Sequence, residues 1–145
     1  MTRLQTLAPN VSDVLKNSSA AKQRAAAVAA CQFAVLRTDI GDSIVQTALQ
    51  SLITTGGLEP PLKADIEARV ARLDREYFDL QDATESDRLV AEDSLKTFGQ
   101  ARAAAAILAA SSEDPFEAAS EAIYEAAVSV NDPEPLFSLI AVALR

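Results

Sequence analysis

Between Ile44 and Ile53 the apolar residues fall at Ile44, Val45, Ala48, Leu49, Leu52 and Ile53. That spacing lays one apolar stripe along a helix. Gly56-Gly57 follows and supplies a stop, since glycine readily takes the left-handed conformation that ends helices. Upstream, Ser18 or Ser19 is placed to cap a helix running through Val28, Cys31, Val35 and Leu36 to about Arg37. Thr38–Asp42 breaks that helix, with Gly41 as its weak point. Residues 1–17 read as a loosely packed N-terminal arm, with one helical turn through Val11, Val14 and Leu15.

The second half repeats the pattern. After Pro60-Pro61, residues Leu62, Ile66, Val70, Leu73, Tyr77 and Leu80 recur at intervals of three and four, which predicts a helix starting at the prolines. The polar segment Gln81–Asp87 reads as a turn, with Thr84 or Ser86 capping a helix through Leu89, Leu95, Phe98, Ala105 and Leu108. Gly99 lies inside it. Glycine there costs about 1 kcal/mol against alanine, so a close helix crossing or a kink is expected. Asp114-Pro115-Phe116-Glu117 is a specific helix start: aspartate caps, proline takes the first helical position, and glutamate follows three residues after the cap. This helix carries Phe116, Ala119, Ile123, Ala126, Ala127 and Val130. Asp132-Pro133 starts a last helix with Leu136, Phe137, Leu139, Ile140, Val142 and Leu144, which has so few polar residues that it is expected in the centre of the fold or against a partner.

The fold read from this pattern is all-α, one domain spanning 1–145, a compact bundle of five to seven antiparallel helices. Alanine-rich segments in both halves, each followed by a break and an amphipathic helix, suit two helical hairpins packed around the Leu62–Leu80 helix. Composition agrees. Half of the 145 residues are hydrophobic, which argues against disorder, and much of that content is alanine, a strong helix former with little bulk. A sheet would call for more β-branched and aromatic residues.

Charge is unevenly spread. Residues 1–57 hold five basic and three acidic residues, and 58–145 hold eight basic and eighteen acidic ones. The acidic balance disfavours nucleic acid and anionic membrane as partners and favours a basic protein surface. Between Ser111 and Pro135 stand Glu113, Asp114, Glu117, Glu121, Glu125, Asp132 and Glu134, with no basic residue among them. Glu117, Glu121 and Glu125 share one helix face. Like charges at that spacing cost a few tenths of a kcal/mol per pair, which suits a surface that meets positive charge. Tyr124 beside them is a candidate aromatic anchor. Asp114, Glu117, Glu121, Glu125 and Tyr124 are therefore the candidate partner-binding residues.

Candidate chemistry is sparse. The chain has no histidine and one cysteine. That removes serine–histidine and cysteine–histidine pairs, histidine and thiolate zinc sites, and di-iron motifs. The four glycines fit no phosphate-binding loop. Asp79, Asp82 and Glu85 lack the pattern and the glycine of a calcium loop. Asp74, Asp79, Glu92 and Asp93 remain as candidate acid–base groups by residue type alone. The expectation is a non-enzyme with no cofactor and no metal, cytoplasmic, monomeric or homodimeric.

Three segments together resemble small helical bacterial immunity proteins encoded beside toxins: Lys22-Gln23-Arg24 leading into the alanine helix with Cys31, Leu73–Gln81, and Phe98–Ala104 leading to Glu121–Ala126. The likeness is compositional and spans most of the chain. It implies an acidic helical protein that occludes a basic toxin surface, with complementary charge speeding association. Two other readings fit the sequence. One is a secretion chaperone or adaptor using the apolar Leu136–Leu144 helix. The other is a helical small-ligand sensor or enzyme built on carboxylates and Tyr77.

Overall fold

Alanine dictates how the helices meet. Ala26, Ala27, Ala30, Cys31 and Ala34 are buried on one helix, Ala101, Ala103, Ala104, Ala106, Ile107 and Ala110 on a second, and Ala118, Ala119, Ala122, Ile123, Ala126 and Ala127 on a third. These small faces pack on one another in all three pairings, with Leu and Ile filling the space between. The computed structural model describes residues 2–83 and 88–145, with eight α-helices among them and no strand. They are α1 (Arg3–Leu7), α2 (Pro9–Lys16), α3 (Ala20–Thr38), α4 (Ser43–Thr55), α5 (Pro60–Ala83), α6 (Arg88–Ala110), α7 (Pro115–Val128) and α8 (Glu134–Ala143). None is long and apolar enough to cross a membrane.

The expected local signals are in place. Ser19 caps α3 by accepting from the Lys22 amide at 3.2 Å. Gly56 ends α4 with φ of 80° and donates its N–H to Leu52 O at 3.0 Å. Asp114 Oδ1 accepts from the Phe116 amide at 3.1 Å, and Asp132 Oδ1 accepts from the Glu134 amide at 3.1 Å. On α4, Val45, Ala48 and Leu52 are buried, whereas Ile44 and Ile53, the outer edges of the expected stripe, are exposed.

Several elements differ from the sequence reading. The helix count exceeds five to seven because the N-terminal arm forms two helices and is docked rather than loose. Leu4 and Leu15 are fully buried, and α1 and α2 both pack on α7. Thr2 Oγ1 caps α1 through the Gln5 amide at 3.1 Å, one half of a capping box that Thr2-Arg3-Leu4-Gln5 spells. α5 continues through Gln81 to Ala83 instead of turning, with Gln81 Nε2 donating to Ser94 Oγ on α6 at 2.6 Å. The proposed caps Thr84 and Ser86, and Glu85, lie outside the described residues. The centre of the bundle is α6, which packs on α3, α4, α5 and α7, rather than the Leu62–Leu80 helix, and α3 and α4 touch too little to form a tight hairpin. α8 is peripheral: Leu136 and Ile140 are buried, while Leu139 and Val142 face out.

Gly99 marks the closest approach. A Cβ there would sit 2.8 Å from Ser129 O, at the end of α7, and 3.3 Å from Thr38 Cγ2, at the end of α3. Gly99→Ala is expected to destabilise by about 1–2 kcal/mol despite the better helix propensity, because backbone must move; thermal unfolding measures it, and an unchanged or raised Tm contradicts the contact.

Burial pushes the Cys31 thiol up from 9.0 to about 12. The folded state keeps a proton that the unfolded chain loses, so this contribution is complete below about pH 9 and declines as pH rises toward 12. Between about pH 8 and about pH 10.5 the parent is expected to lose about 2 kcal/mol more than Cys31→Ala. Urea unfolding of both proteins at the two pH values reads the difference.

Candidate functional site

The acidic stripe of α7 runs from solvent into the protein. Glu117 is exposed, Glu121 is half-buried and Glu125 is buried. The cost of stacking three carboxylates falls with two arginines supplied by other helices. Arg102, from α6, donates Nη1 to Glu125 Oε2 at 3.1 Å and Nη2 to both oxygens of Asp74 on α5, at 2.9 and 3.1 Å. Arg3, from α1, donates Nε to Glu121 Oε2 at 3.1 Å and Nη2 to Glu125 Oε1 at 3.0 Å. The Arg3 guanidinium also lies 4.2 Å from the Tyr124 ring centroid, in cation–π range. Glu121 first, and then Glu125, hold the Arg3 proton more tightly than usual, against the opposite pull of burial. Both oxygens of Glu125 are thus occupied, which is what a buried carboxylate requires.

Ahead of this network, α7 forms one wall of an open groove of about 1070 Å³. α5 and α7 both pack along α6, and the strip of α6 between them is the floor. Ala105, Leu108 and Ala109 line that floor, and Leu58 and Pro60 extend the apolar surface from the start of α5. Glu117, Glu121 and Glu125 line one side, Lys63, Ala64 and Glu67 the other, and Ser111, Ser112 and Glu113 the end. The floor is apolar because α6 presents alanine on this face too; without bulk, those positions leave a trough rather than a ridge. Arg24 holds the end in shape, donating to the carbonyls of Ser112 at 2.6 Å and Glu113 at 2.7 Å in the connection between α6 and α7.

The groove brings together Glu117, Glu121 and Glu125 of the expected contact residues. Asp114 is spent on the α7 cap and is not in the lining, and Tyr124 lies under Arg3. Sequence reasoning missed Arg3, Arg102, Lys63 and Glu67, and it named Asp74 only as an acid–base candidate, not as the partner of Arg102. One signal was present: Arg102 stands alone among alanines on a helix that must be buried, so it demanded a carboxylate. Of the other carboxylates considered, Asp79 and Asp93 are exposed. Tyr77 packs between Phe78 and Phe98, with ring centroids 5.5 and 5.2 Å away. Among the described residues no group of three acidic or cysteine side chains is placed to hold a metal ion. No protein-family model matches the chain, and neither a curated protein nor a solved structure matches it.

Arg102→Met is expected to destabilise by about 3 kcal/mol, since Glu125 loses its most buried partner. Adding Glu125→Gln should recover part of that loss by removing the uncompensated charge, although the neutral amide then leaves Glu121 to hold Arg3. Denaturant unfolding of the single and double variants checks the coupling, and strictly additive losses would count against it.

Proposed function

We propose that this is a protein-binding inhibitor, of the immunity or antitoxin type, that occludes a basic segment of its partner. The groove carries the reading. It combines an apolar floor, walls bearing five carboxylates (Glu67, Glu113, Glu117, Glu121, Glu125), and, among the residues that line it, a single ammonium, Lys63. An amphipathic helix with leucines on one face and arginines or lysines on its flanks matches that distribution, the apolar face supplying affinity and the flanks register and association rate. The inhibitor class draws on the resemblance noted in the sequence. Occlusion needs no catalytic group from this chain.

The test uses a synthetic amphipathic helical peptide of about 18 residues, long enough for five turns, with leucine on one face and arginine and lysine on the other. Binding is expected by calorimetry, weakening with salt. Glu113→Lys/Glu117→Lys, changed where the side chains are exposed, should weaken it about tenfold with unchanged thermal stability. Equal binding of a scrambled peptide of the same charge, or by the double variant, overturns the groove assignment.

A secretion chaperone or adaptor working through α8 is favoured by one observation, the exposure of Leu139 and Val142. Such a protein would cover this face with a second copy, so sedimentation as a strict monomer argues against it.

A further inference from the structure

We infer that Glu121, Glu125 and Tyr124 form a guanidinium-binding site at the inner end of the groove, occupied in the free protein by Arg3 and taken over by an arginine of the partner. This deepens the reading of the groove as the partner site and rests on it. The two carboxylates line the groove and also hold Arg3. Glu125 is the anchor: its side chain is only 8% exposed and presents Oε1 toward Arg3, while Oε2 is fixed by Arg102. Tyr124 supplies an aromatic face 4.2 Å from the guanidinium carbon. Two carboxylates and a ring suit a planar, delocalised cation better than a compact ammonium.

The occupant differs from its site. The Arg3 side chain is 53% exposed, on a helix of five residues. Within the site Glu125 is buried and held from a second side by Arg102, and Glu121 and Tyr124 are half-buried, whereas the ligand is on a short element. Leu4 is fully buried beside it, so α1 can keep its anchor while the Arg3 side chain swings out. A side chain that occupies the site most of the time lowers the apparent affinity for an incoming arginine by the fraction of time the site is free.

Two measurements separate this site from the groove. In the first, Arg3→Ala is compared with the parent for binding the arginine-containing amphipathic peptide and its all-lysine counterpart. Arg3→Ala should bind the arginine peptide about tenfold more tightly, with a smaller gain for the lysine peptide. In the second, the thermal stability of Arg3→Ala is followed with millimolar ethylguanidinium or ethylammonium. Ethylguanidinium should raise its Tm more than ethylammonium does, and the parent should show no such difference. If Arg3→Ala is too unstable to study, Arg3→Gln replaces it and keeps a polar side chain over Tyr124. Selective stabilisation by ethylguanidinium without peptide binding to either protein would support the guanidinium site and overturn the groove as a peptide receptor. Equal effects of the two cations, together with unchanged peptide affinity in Arg3→Ala, overturn the site.

Discussion

Small side chains at helix crossings bring backbones together, and the rest of this structure follows from that constraint. α3, α6 and α7 meet through alanine, so their contact is broad and shallow rather than built on deep interlocking side chains. Such an interface has no slack. Gly99 faces a backbone carbonyl of the neighbouring helix with no room for a methyl group. The peripheral helices bring the bulkier buried residues, Leu15 on α2, Ile66 and Leu73 on α5, and Leu136 and Ile140 on α8, while Ile107 and Ile123 stand among the alanines of α6 and α7. The groove has the same cause, because alanine on the remaining strip of α6 leaves an indentation between the two helices beside it.

Charge obeys the same geometry. A helix packed this closely cannot turn Glu125 away from its neighbours, so the neighbours carry the compensation: Arg102 reaches across from α6 and Arg3 from α1. The acidic stripe is therefore two things. Its inner end is neutralised within the structure, with Glu125 held by Arg102. Its outer end, Glu117 with nearby Glu113, is exposed to solvent. A mildly repulsive row of glutamates can arise from the demands of a bundle interior and those of a binding surface in succession along one helix.

Most helices were legible from period and punctuation. The Asp-Pro starts, Ser19, Gly56 and the three- and four-residue spacing of α5 each act locally, so they survive folding unchanged. In the arm the turn through Val11, Val14 and Leu15 was legible and is α2, but α1 was not, since it is too short for a period to develop and packs on α7, a contact between distant parts of the chain. The composition of the site was half legible. Glu117, Glu121 and Glu125 share a face by arithmetic alone, but their inward tilt and their partners are tertiary facts. Lys63 and Glu67 join the groove only because α5 and α7 flank the same helix, and no local pattern encodes that neighbourhood.

The protein contains no tryptophan and two tyrosines. Tyr77 sits between phenylalanines in the α5–α6 pair, and Tyr124 lies beneath an arginine at the mouth of the inner network. The two phenols thus report from different kinds of place, one from a cluster of aromatic rings and one from the charged edge. In near-ultraviolet light this molecule is dark where tryptophan normally dominates, so an indole brought in by a partner would be seen alone, and the tyrosine at the charged edge would register its arrival.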